Sequence, residues 1–184
     1  MGATDLELIN SCIAGNQDSF AEIVTRYKKL IYSIVYNMIR DKQEVNDIAQ
    51  EVFIRIYKSL NRYNPEYKFS TWSVKIATNL CLDVLRKKRV DSTSIDEIEG
   101  VSIDTDTPEA RFLRKEKSER IRRAIEGLPD KYRIPVVLFH QNNLSYEEMA
   151  KVLNEPMTII KNRLYRARLM LREKLLPDRK EEVL

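Results

Sequence analysis

Residues 144–175 read LSYEEMAKVLNEPMTIIKNRLYRARLMLREKL, and this stretch decides the fold. Ser145 with Glu148 three residues on is a capping box for a short helix carrying Met149, Ala150, Val152 and Leu153. Asn154-Glu155-Pro156 makes a tight turn into a final helix. There Ile160, Leu164, Ala167, Leu171 and Leu175 recur at helical spacing as a buried stripe, leaving Lys161, Asn162, Tyr165, Arg166, Arg168 and Arg172 to face solvent. Helix, short turn and basic helix form a helix-turn-helix pattern. On this stretch alone a generic helical hairpin stays open, because basic solvated faces are common.

Upstream, a charged helix from Glu109 to Glu126 stops at Gly127-Leu128-Pro129 and resumes after Asp130 toward His140. Pro135 removes one backbone hydrogen bond from that helix and is expected to kink it. Nearer the N-terminus, Asp18 or Ser19 followed by Glu22 starts a helix with Ile23, Tyr27, Leu30, Ile31, Ile34 and Met38 on one side, ending near Arg40. Asp41 with Glu44 repeats the start signal, and Val45, Ile48, Ala49, Val52, Phe53, Ile56 and Leu60 make the next apolar stripe. Asp47, Gln50, Glu51 and Arg55 lie away from that stripe.

The pattern lapses around Asn64-Pro65, in a short segment holding Tyr63, Tyr67, Phe69 and Trp72. Ser70 is then expected to cap a third helix reaching about Arg89. Trp72, Lys75, Asn79, Asp83 and Arg86 share one of its faces, while Ile76, Ala77, Leu80 and Val84 face inward. The fold class is therefore all-α.

Charge divides the chain. Residues 1–89 hold 14 Lys and Arg against 10 Asp and Glu, residues 90–110 hold none against 7, and residues 111–184 hold 18 against 11. The expected organisation is two helical domains, 1–90 and 111–184, joined by a flexible acidic linker at 91–110. Two basic domains suit a polyanion, since Lys and Arg that neutralise phosphates release counterions. Aromatic rings beside cations suit unpaired bases, and the basic last helix fits the DNA major groove. Core packing of the same aromatics, Trp72 included, is the plain alternative.

Other functions are disfavoured by what the chain lacks. One histidine, His140, and two cysteines, Cys12 and Cys81, give little for acid–base, disulfide or metal chemistry, so no cofactor, metal or catalytic residue is expected. No stretch is long and apolar enough to span a membrane, and the N-terminus carries Asp5 and Glu7 where a secretory signal would be basic and then apolar; a cytoplasmic protein is expected.

Four stretches, in order, resemble bacterial RNA polymerase sigma factors of the extracytoplasmic-function class, in the sigma-seventy family. They are Asp47-Ile48-Ala49-Gln50-Glu51-Val52-Phe53, then Phe69-Ser70-Thr71-Trp72 leading to Ile76-Ala77-Thr78-Asn79-Leu80, then Leu144-Ser145-Tyr146-Glu147-Glu148, and Arg163-Leu164-Tyr165-Arg166-Ala167-Arg168. The resemblance implies that the first domain (region 2) docks on the clamp helices of the polymerase's largest subunit through Asp47, Gln50, Glu51 and Arg55. It implies that Tyr63, Tyr67, Lys68, Phe69, Trp72, Lys75, Asn79 and Arg86 serve the promoter −10 element, where a non-template base is flipped out. It assigns the −35 element to the second domain (region 4), with Thr158, Lys161, Asn162, Arg163, Tyr165, Arg166 and Arg168 at its DNA surface and the polymerase flap as a further contact. It also implies an anti-sigma factor as a partner, with no membrane insertion by the chain itself. The family's usual turn glycines are replaced by Asn154, which tolerates left-handed geometry, and by Thr158, which is expected to cap the helix. A helix-turn-helix regulator that acts without polymerase is the alternative, and a protein that only binds other proteins is a third.

Overall fold

The computed structural model describes residues 2–39, 41–91 and 108–176, with side chains omitted at 89–91, 108–115 and 141. Every regular element among the described residues is helical. Most of the expected acidic linker lies outside them, although helices reach its edges at Asp91 and Pro108.

The first domain contains α1 (Asp5–Ile13), α2 (Gln17–Met38), α3 (Val45–Ser59) and α4 (Phe69–Asp91). α1 was not anticipated from the sequence. Its start is a full capping box, with Thr4 Oγ1 accepting from the Glu7 backbone and Glu7 accepting from Thr4 N. Asp5 pins it to α2, accepting from the Tyr27 hydroxyl and, at 2.6 Å, from Arg26.

Three expected caps are corrected. α2 begins at Gln17 and is capped by Asn16, whose Oδ1 accepts from Asp18 N at 3.0 Å, so Asp18 and Ser19 lie inside the helix. α3 begins at Val45 with no side-chain cap, because Asp41 spends its carboxylate on the Gln43 N–H two residues on. α4 begins at Phe69, so Ser70 lies inside the helix, where its carbonyl accepts from the Ser73 hydroxyl. The periodicities hold: Val45, Ile48, Ala49, Val52 and Ile56 of α3 are buried with Ile23, Ile31, Ile34, Val35 and Met38 of α2, and with Val74, Ala77, Leu80 and Cys81 of α4. Burying such side chains contributes roughly 1.5–3 kcal/mol each.

The second domain contains α5 (Pro108–Glu126), α6 (Asp130–Val136), α7 (Tyr146–Leu153) and α8 (Met157–Leu175). Pro135 sits within α6, and the chain winds on as a π-helical turn over Val137–Gln141. A proline that cannot donate to the preceding turn is a physical cause for such a wide turn. Ser145 and Glu148 form the expected capping box, and Asn154 ends α7 in the left-handed region at φ 53°. α8 starts after Pro156 without a side-chain cap, so Thr158 is its second residue and is exposed, not a cap. Ile160, Leu164 and Ala167 are fully buried against α6 and α7; Leu171 and Leu175 are only partly so.

Candidate nucleic-acid interface

The segment between α3 and α4 is held by its own aromatic rings. Phe69 is 2% exposed and contacts three other rings: Tyr27 at 5.0 Å, Tyr63 at 5.4 Å and Trp72 at 5.4 Å between centroids. Tyr63 and Trp72 touch each other at the same distance. Edge-on and tilted rings at this separation add roughly 0.5–1.5 kcal/mol per pair beyond area burial. Phe69 therefore offers no face to a base; it supports Tyr63 and Trp72, both half-buried, from beneath.

The loop above this cluster is braced by its backbone. The Tyr63 hydroxyl donates to the Tyr67 carbonyl at 2.5 Å, and Asn64 Oδ1 accepts from Glu66 N at 3.0 Å. That leaves Tyr67 and Lys68 exposed, and Lys75, Asn79 and Arg86 are exposed in turn along α4. Arg86 lies 3.6 Å from Asp83 in a pair open to solvent. Of the basic run that ends α4, Lys88 bridges to Glu44 at 2.6 Å and ties the end of α4 to the start of α3.

On α3, Asp47, Gln50 and Arg55 are exposed and Glu51 is half-exposed, with Arg55 Nε donating to Glu51 at 2.9 Å one turn away. Ile54 and Tyr57 are also exposed on this helix, Tyr57 edge-on to Phe20 at 4.9 Å. The sequence reading passed over both. An isoleucine one turn from a polar stripe and off the buried one was the available signal.

On α8, Lys161, Asn162, Tyr165, Arg166 and Arg168 project into solvent, and Tyr165 is 63% exposed. Arg163 differs, since its guanidinium pairs with Glu155 in the turn at 2.8 Å and its side chain is only 29% exposed. It braces the turn against the helix. The Arg166 guanidinium by the Tyr132 hydroxyl lowers that tyrosine's pKa. Lys161 stands 5.7 Å over the Tyr146 ring. Ile159 and Leu169 add exposed apolar surface beside these polar groups.

Cys81 is buried in the first core and pushed up to about 12 by desolvation, and Cys12 is raised for the same reason, so both stay protonated thiols. Among the described residues, no group of three or more His, Cys, Asp or Glu could hold a metal, and no helix is long and apolar enough to cross a membrane.

The two halves match two family models: Sigma-70 region 2 over residues 23–90 and Sigma-70, region 4 over residues 118–171. The ECF RNA polymerase sigma factor SigW of Bacillus subtilis is 40% identical over 170 residues, covering 88% of this chain and 91% of that protein. The ECF RNA polymerase sigma-E factor of Escherichia coli is 30% identical over 183 residues, covering 95% of each. Among solved structures, the sigma factor RpoE in complex with the anti-sigma factor NepR, from Bartonella quintana, matches with a TM-score of 0.71 at 18% identity, covering 87% of this chain and 98% of that one. A braced aromatic loop and a basic recognition helix, matched to regions 2 and 4 in that order and shared with relatives along nearly the whole chain, place this protein in the ECF class of the sigma-70 family, the sigma factors that direct transcription initiation.

Proposed function

We propose that residues 1–90 bind core RNA polymerase through the exposed face of α3 and read the promoter −10 element with the loop before α4, while residues 111–184 read the −35 element with α8. The observation that carries this reading is the contrast between the two DNA-facing surfaces. One is a rigid platform of rings beside cations, suited to unpaired bases; the other is a row of polar and cationic side chains on a helix, suited to base edges in a groove. A factor that carries no energy source melts DNA by binding the open form better than the duplex. Exposed Tyr67 and Lys68 in the loop and exposed Lys75 and Asn79 on α4 supply the pocket and phosphate contacts for that preference, with Arg86 further along α4. On α8, Lys161, Asn162, Tyr165 and Arg166 read bases and Arg168 meets phosphate.

Catalysis stays with the polymerase, whose clamp helices take the Asp47, Gln50, Glu51 and Arg55 face and whose flap takes the second domain. Work on that enzyme places the chain in the cytoplasm. An anti-sigma factor that covers these surfaces is the expected inhibitor, and exposed Ile54 and Tyr57 give it apolar purchase. The test separates the roles by titrating core polymerase with variants. Gln50→Ala and Glu51→Lys are expected to weaken core binding, while Asn79→Ala leaves it near wild type and slows promoter opening. Equal loss of core affinity in all three would overturn the division.

A further inference from the structure

The second domain carries an open cavity of about 370 Å³ between α5 and the end of α8, lined by Glu116, Arg120, Arg123, Ala124 and Lys174. Its volume lies in the range of small-ligand sites. The nine residues from Tyr165 to Lys174 make about two and a half helical turns, so Lys174 leaves α8 on the side opposite the exposed Tyr165. None of the lining residues belongs to the surfaces assigned above to polymerase or promoter.

Two of the cations are fixed by backbone. Lys174 Nζ donates to the Gly127 carbonyl just past the end of α5 at 2.9 Å, and Arg120 donates to the Leu175 carbonyl at the end of α8 at 3.0 Å. Each helix end is thus held by a cation from the other helix, which also suits the negative pole of both helix dipoles. A neutral carbonyl takes one hydrogen bond and leaves the charge of each head group, and its other N–H donors, available. Arg123, exposed on α5 one turn from Arg120, has no ion pair among the described residues. Glu116 lines the cavity too but pairs with none of the three among the described residues, so positive charge is in excess. Gly127 is fitted to this arrangement, since a Cβ there would stand 2.6 Å from Lys174 Nζ. Buried Ala124 backs the cavity with a side chain too small to fill it.

Three cations converging on one cavity, two of them already held in place, match a compact ligand carrying two or more negative charges. Phosphate oxygens accept several charge-assisted hydrogen bonds at once, and arginine meets them two at a time. We propose that this cavity binds a small oligophosphate, the di- or triphosphate of a nucleotide, and that the bound anion ties α5 to the end of α8. The phosphodiesters of a nucleic acid share this chemistry. A duplex lying on Tyr165, however, would have to pass around a helix about 10–12 Å across to reach Lys174.

The test titrates the full chain with inorganic tripolyphosphate by calorimetry, at about 0.15 M salt so that diffuse attraction is screened. Wild type is expected to bind in a single saturable step. Arg123→Gln and Gly127→Ala are each expected to weaken binding roughly 10-fold; the second leaves the net charge unchanged and acts by displacing the lysine head group. Arg168→Gln removes the same charge as Arg123→Gln but from the recognition face, and is expected to change the affinity less than about 2-fold. Thermal melts show that each variant is folded, and the wild-type midpoint is expected to rise with ligand more than that of either cavity variant. A nucleoside triphosphate is expected to displace the tripolyphosphate, and excess duplex DNA is not. Absence of saturable binding, equal losses in Arg168→Gln and Arg123→Gln, or wild-type affinity in both folded cavity variants would overturn the site. Displacement by the duplex would assign these cations to the nucleic-acid surface and overturn it as well.

Discussion

The exposed side chains of α8 divide by what they already touch. Arg168 is open to solvent, Arg166 is steadied by Tyr132, and Arg163 is committed to Glu155. Arg166→Ala is expected to cost about 1–3 kcal/mol of discrimination at one base pair. Arg168→Ala weakens binding evenly across sequences and flattens the salt dependence. Competition binding between a cognate −35 duplex and single-base variants checks both, and the reverse pattern would show the sorting to be wrong. At Phe69, truncation to Ala is expected to destabilise the fold by about 3–5 kcal/mol, read from denaturant melts, because the buried ring packs on three others. The sequence put Phe69 among the base readers, since an aromatic in a loop beside a lysine looks the same in one dimension whether it points out or in.

Element by element, apolar spacing located α2, α3, α4 and α8 well, because a stripe at helical period needs a partner wherever it ends up. The caps were harder to read. Ser145 and Glu148 close their box, but Ser70, Thr158 and the Asp41–Glu44 pair do not, because backbone groups nearby compete for the same side chains or the helix starts one residue away. α1 escaped notice although Thr4 and Glu7 carry the same signature. Ser145→Ala is expected to cost about 1 kcal/mol, measured by thermal or denaturant unfolding of the full chain. Glu148 adds a pH dependence. Its pKa lies below the ordinary glutamate range, chiefly because the Ser145 N–H donates to it, with the Thr71 hydroxyl and Lys68 assisting. Its ionised form thus favours the fold at pH values above the ordinary glutamate range, and the benefit is lost as pH falls through the lowered value. The stability gap between wild type and Glu148→Ala is expected to close in acid; a gap that widens would contradict this.

For the whole molecule, charge segregation marked the two basic blocks and the acidic stretch between them, and the motif order identified the family. The contact between α6 and the end of α2 was not visible. Arg133 reads as one more basic residue in a basic domain, and only tertiary packing shows it buried on a carbonyl nearly a hundred positions away. Contacts at such separation leave no periodic trace, which is also why the exposed faces of α3 and α8 could be listed from spacing while their accessibility to DNA could not.

The central claim is that this chain lets core polymerase start transcription at promoters with two spaced elements. Run-off transcription of fragmented genomic DNA from the host, by core polymerase with and without the protein and with the new 5′ ends sequenced, tests it most directly. New start sites sharing one motif near −10 and a second near −35 are the expected result. An active polymerase that gains no new starts from a correctly folded chain would contradict the account.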